Sequence, residues 1–189
     1  MPIATETLTP DEVMNLHEDK LYELVDGELR EKYMGAESCW SANRIGRYLS
    51  VFLDEKSLGW VFTELSYKCF QDQPSLIRRP DVSFIKYGRF PGKPPAGHIP
   101  IAPDLAVEVV SPNDQVYDLD RKIIEYRKAG VRLIWVLNPD TRRVRVHYPN
   151  GSSTELREGQ VLAGEDVLPG FSCPVASLFM PESTPMNVQ

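Results

Sequence analysis

Two carboxylates and one amine stand out in this sequence as groups that could do chemistry together. Glu108 is the only charged residue in the run Leu105-Ala106-Val107-Glu108-Val109-Val110, and Pro103 and Pro112 bound that run. Asp81 follows Pro80 at the head of another apolar stretch, 27 positions earlier, and Lys122 lies 14 positions after Glu108. An ionised carboxylate among apolar neighbours must take up a proton, find a cation or bind a metal. Two of them a few ångströms apart cannot both stay charged without a cation between them. Mg²⁺ suits such a pair, with Mn²⁺ as its substitute, because it needs few protein oxygens and keeps several waters. With the Val109 carbonyl as a further oxygen and Lys122 as a point charge at the water or phosphate, these parts suffice for metal-assisted phosphodiester hydrolysis.

The elements that must hold these groups are legible around them. The Leu105–Val110 run is short and apolar on both faces, the pattern of a central strand covered on both sides. Alternation sends Leu105, Val107 and Val109 one way and Ala106, Glu108 and Val110 the other. A strand over 79–86 carries Asp81; if it lies antiparallel beside the first, both acids can share a face. Leu119, Ile123 and Tyr126 recur at helical spacing, so a helix over 117–128 carries Lys122 and ends at Gly130. Strands follow over 132–137 and 143–148.

Upstream, Thr9-Pro10-Asp11-Glu12 predicts a short helix ending near His17. Asp26-Gly27 between two strand-like segments predicts a tight hairpin. A helix is predicted from Ser41 to Lys56 and a strand from Trp60 to Phe70. Residues 87–103 hold five prolines and three glycines. That excludes regular structure, and uncovered loops of such length are often functional.

At 189 residues the chain fits one domain, 1–189, with a core over about 21–148, a β-rich C-terminal part and a polar tail over about 181–189 expected to fray. Three scattered cysteines without a C-x-x-C pair argue against a disulfide framework and for a reducing cytoplasm. No stretch is apolar enough to span a membrane, and no signal-peptide pattern opens the chain. P-loop, G-x-G-x-x-G and G-x-S-x-G motifs are absent. The net charge of -6 counts against a protein that coats nucleic acid by bulk electrostatics, since such domains are usually basic, but not against an enzyme meeting DNA on one local surface.

Pro80-Asp81, Glu108 and a lysine on the next helix resemble the PD-(D/E)xK nuclease superfamily. More specifically, the chain is similar to a bacterial family of restriction-endonuclease-like proteins long described only as a domain of unknown function. The likeness runs through Tyr22-Glu23-Leu24-Val25-Asp26-Gly27-Glu28-Leu29, Arg79-Pro80-Asp81-Val82, Glu108-Val109-Val110-Ser111-Pro112, Asp118, Lys122, Gly130-Val131 and Trp135-Val136. It implies an α/β (α+β) restriction-endonuclease-like core: a mixed central sheet flanked by helices, with an N-terminal β-hairpin. It also implies a Mg²⁺-dependent deoxyribonuclease working as a homodimer. The sequence departs from the superfamily in having Val110 where a lysine usually stands, two residues after the glutamate; Lys122 matches the position to which that role has moved.

Around this trio the expected supporting residues are Asp118, four before Lys122 and placed to orient it, and Ser111, which begins a turn. Asp118 and Lys122 also have the spacing of an ordinary surface pair. Arg79, Arg142 and Arg143 are the candidate DNA contacts, although such charge runs are usually solvated faces. The competing expectation is an inactive nucleic-acid-binding or regulatory protein on the same fold, which would bind Mg²⁺ weakly and release no product.

Overall fold

The computed structural model describes residues 8–14, 20–112 and 114–181. The first helix, α1 (Pro10–Met14), opens with the expected capping box: Thr9 Oγ1 and Glu12 exchange bonds with each other's side chain and backbone. His17 and the terminal tail fall outside the described residues. A two-stranded sheet follows, β1 (Tyr22–Val25) and β2 (Glu28–Glu31). Its turn is Asp26-Gly27, with φ of 55° and 81°, as a tight hairpin demands.

The main body is a six-stranded mixed sheet in the order β3-β4-β5-β6-β7-β8. Its strands are β3 (Gly59–Thr63), β4 (Val82–Lys86), β5 (Leu105–Val109), β6 (Leu133–Asn138), β7 (Arg143–His147) and β8 (Ser153–Arg157). Only β5 and β6 run parallel, and the helix α3 (Val116–Ala129) makes the crossover between them. The long helix α2 (Ala36–Lys56) precedes β3, and a small hairpin of β9 (Val161–Ala163) and β10 (Ser172–Pro174) follows the sheet.

Every residue of β5 is buried. Leu105, Val107 and Val109 pack with Ile45, Leu49 and Leu53 of α2 and with the C-terminal segment around Leu162, Phe171 and Leu178. On the other face, Ala106 packs with Ile134, Val136 and with Ile123 and Tyr126 of α3. Gly130 ends α3 with φ of 92°, a left-handed C-cap that glycine adopts without strain.

Three boundaries move by three residues or more from the sequence reading. Helix α2 begins five residues before Ser41, at Ala36, because Ser38 and Ser41 are buried against the body rather than ending the helix. Strand β3 stops at Thr63, since Glu64 takes a left-handed backbone (φ 52°) that ends the extended run. Strand β4 starts at Val82 rather than Arg79: Pro80 has no amide to give to a ladder, and the Arg79 amide donates to Glu23 instead (3.0 Å). The proline-rich loop packs Ile99 and Ala102 into the core, and none of residues 87–103 lines the cleft described below.

Candidate active site

Antiparallel pairing sets Val82 opposite Val107 and Ser83 opposite Ala106. One step further along this register places Asp81 opposite Glu108, so the two acids share a face. That face is the one covered by α3 and the hairpin. Both carboxylates are nearly dry, at 3% and 4% exposure, yet both line an open cleft of about 190 Å³. Hairpin residues Glu23, Arg30, Lys32 and Tyr33 form one wall, and Gln115, Asp118 and Lys122 the other.

The geometry brings the predicted trio together, and adds partners that the sequence reading missed. Lys122 Nζ lies 3.2 Å from Glu108 Oε2 and 3.2 Å from Glu23 Oε1. The Tyr126 hydroxyl donates to Glu108 Oε1 (2.6 Å). Asp81 Oδ2 accepts the Val109 amide (2.5 Å), and Asp81 Oδ1 accepts Lys32 Nζ (2.7 Å). Lys32 also donates to Glu64 (3.0 Å) and to the Arg79 carbonyl (2.6 Å), which uses all three of its N–H groups. Behind this layer, the buried Arg78 bridges Glu23 (2.8 Å) and Glu125 (2.7 Å).

Burial raises the Glu108 carboxyl; Lys122 and Lys32 pull it down, but Asp81 and Glu23 push it up, and the net direction is upward. Burial also raises Glu23, yet the charges of Lys122, Arg78 and Lys32 and the Arg79 amide outweigh it and hold this carboxyl at about 2. Glu64 goes the other way: burial and the nearby Asp81 and Glu108 overcome Lys32 and lift it to about 7. Burial works against the ammonium forms of Lys32 and Lys122, but their acid partners prevail and both are raised. The two lysines are therefore fixed cations.

Some expected residues sit elsewhere or do something else. Asp118 lines the cleft, but its partner is Arg30 (2.8 Å) rather than Lys122, which turns instead to the deeper acids Glu108 and Glu23. Ser111 is buried at the cleft edge; its hydroxyl donates to Ser38 and its amide to Asp114. The Arg79 guanidinium turns inward to the carbonyls of Tyr22 and Glu64. Arg142 lies over the Phe179 ring and is tied to Glu158 and the Met180 carbonyl. Arg143 is exposed and paired with Glu155, lining a second groove beyond α3 rather than the cleft. His147 is buried beside Arg127.

The missed residues had a weak signal. Along the hairpin, Glu23 pairs across from Arg30, and Lys32, two residues past Arg30, falls on the same side. Alternation alone thus puts three charged groups on one face, but no sequence rule aims that face at α3. As a metal site the donor set is hard and oxygen-only, and no group of three or more acid, histidine or cysteine ligands occurs among the described residues. Two adjoining carboxylates beside open volume fit an ion that keeps several waters, such as Mg²⁺, and not one that needs a full protein cage.

A mixed sheet with an αβ crossover, two acids at adjacent strand ends and a lysine from the crossover helix defines a restriction-endonuclease-like α+β protein. A structure from Anabaena variabilis ATCC 29413, described as a "putative nuclease belonging to DUF820", superposes with a TM-score of 0.76 at 21% identity, over 91% of this chain and 97% of that one. The profile of the Uma2 family, described as "Putative restriction endonuclease", matches residues 10–176, and the chain belongs to that family. No curated protein matches it. No described helix is long and apolar enough to cross a membrane.

Proposed function

We propose that this protein is a Mg²⁺-dependent nuclease acting on DNA, with Asp81 and Glu108 holding the ion and Lys122 assisting. The observation that carries it is the meeting of Asp81, Glu108 and Lys122 on one side of the sheet beside an open cleft. Membership in the Uma2 family and the nuclease description of its structural relative support the reading. Asp81, Glu108 and the Val109 carbonyl are the proposed oxygen ligands. A bound divalent ion supplies Lewis-acid polarisation of a phosphoryl oxygen and lowers the pKa of a water.

The chain's own groups set the rest. Tyr126 fixes one oxygen of Glu108, and the Val109 amide fixes one oxygen of Asp81, so both carboxylates are pre-positioned at no cost during reaction. Lys122 donates to Glu108 Oε2 and lies 3.2 Å from Glu23 Oε1 as an ion pair. Its ammonium therefore keeps donor capacity for a phosphate oxygen or the attacking water as charge develops there. Lys32, with every donor committed to protein oxygens, has none to offer a substrate. The homodimer rests on the family resemblance, and light scattering checks it.

A second reading has its own observation: each carboxylate of the pair already accepts a lysine, so the site is charge-compensated as it stands. That is the arrangement of a binding or regulatory protein that lost turnover. Calorimetric titration of Mn²⁺ into wild type and Glu108→Ala, followed by incubation with supercoiled, linear and single-stranded DNA with and without EDTA, decides between them. Mn²⁺ binding lost in the variant together with EDTA-sensitive cleavage supports the nuclease; no heat and no product supports the binding protein.

A further inference from the structure

The hairpin β1–β2 belongs to neither face of the main sheet by strand pairing, yet it is fastened to the body at several points. Leu24 exchanges backbone bonds with Ile77 (3.2 and 2.9 Å), Asp26 takes both arms of Arg121, and Arg30 pairs with Asp118. From this arm Glu23 reaches under α3. Its Oε2 accepts Arg78 (2.8 Å); its Oε1 accepts the Arg79 amide (3.0 Å) and faces Lys122 Nζ (3.2 Å). Arg78 is in turn braced by Glu125, which is braced by Arg121. The carboxylate of Glu23 is thus held by partners on both oxygens and dry, at 4% exposure.

A lysine has a flexible four-carbon stem, and its head is placed only by what surrounds it. Here the ammonium spans two acids of different standing. Glu108 belongs to the proposed reaction, whereas both oxygens of Glu23 are turned to protein donors. We propose that Glu23 is a positioning residue that holds the Lys122 ammonium at Glu108, so that the N-terminal hairpin completes the reactive site. The proposal rests on the nuclease reading above. Losing the negative charge of Glu23 frees Lys122 to swing towards solvent through the cleft mouth, while the Asp81–Glu108 pair stays where β4 and β5 put it.

The test is cleavage of supercoiled DNA in Mg²⁺ by wild type, Glu23→Gln and Glu23→Asp, with thermal melts and Mn²⁺ calorimetry on each. Glu23→Gln is expected to lower kcat at least tenfold while KM for DNA and the Mn²⁺ Kd stay within twofold of wild type. Glu23→Asp, which keeps the charge but is one methylene short, is expected to lose three- to tenfold in kcat. A kcat for folded Glu23→Gln within twofold of wild type overturns the inference. So does a change in KM or Mn²⁺ Kd as large as that in kcat, since a merely structural role would act on all three. Should Glu23→Gln not fold, Glu23→Asp decides, and wild-type kcat in that variant is fatal. A wild type that cuts no DNA form in Mg²⁺ or Mn²⁺ removes the nuclease reading and this inference with it, whereas an active wild type with an indifferent Glu23→Gln removes only the inference.

Discussion

Removing Lys122 should destabilise the fold, and removing Glu108 with it should restore most of the loss. The ammonium sits 3.2 Å from one oxygen of Glu108 and 3.2 Å from one of Glu23, and is only 16% exposed. At an effective dielectric of about 20, each contact is worth roughly 5 kcal/mol of gross attraction, set against a desolvation cost of several kcal/mol for each ion. The pair itself is therefore close to neutral, but half a pair is not. Lys122→Met strands Glu108, and breaking a buried pair from one side costs about 3–5 kcal/mol. Glu108 can escape part of that by binding a proton, since its carboxyl is already raised by burial. A loss of about 3 kcal/mol is expected near neutral pH, or roughly 6–12 °C in Tm for a domain of this size. Glu108→Gln alone keeps an acceptor for Tyr126 and leaves Lys122 on Glu23, so it should melt within about 1 kcal/mol of wild type. In the double variant no charge is left unpaired, because Glu23 retains Arg78 and the Arg79 amide. Thermal melts of the four proteins in EDTA provide the cycle. Additive losses in the double variant, or a Lys122→Met protein as stable as wild type, would refute the argument. All three variants should be inactive whatever their stability, which would separate the chemistry of this network from its contribution to folding.

Other expectations follow from neighbouring groups. Glu64, raised from 4.5 to about 7, contributes stability that is fully present below its unfolded value and is lost as pH rises through about 7. Glu64→Gln should therefore gain on wild type by several degrees of Tm between pH 5 and pH 8.5; an unchanged difference between those two melts would mean that Glu64 titrates normally. Asp81→Asn should abolish cleavage and weaken Mn²⁺ binding at least tenfold by calorimetry, with the fold intact, because an amide oxygen still accepts the Val109 amide. Gly59→Ala should cost about 3 kcal/mol in denaturant unfolding, since a Cβ there would meet the Ile85 carbonyl at 2.2 Å and backbone cannot step aside. A variant as stable as wild type would show that β3 and β4 are not in that register.

The sequence by itself determined the strand that carries Glu108, the alternation that turned this acid away from the α2 face, the Asp-Gly hairpin, and α3 with its Leu119/Ile123/Tyr126 stripe. Each is local: a period of two or of 3.6, a turn that demands positive φ, a cap. The tertiary structure alone decided that Lys122 answers to Glu23 and not to Asp118, that Lys32 sits on Asp81, and that Arg78 and Arg79 face inward. The two lysine pairings join residues 99 and 49 positions apart, and a long basic side chain can reach either solvent or a buried acid from the same point on a helix or strand. Which it chooses depends on where desolvated carboxylates lie once the hairpin folds against α3, and no periodicity in the chain records that.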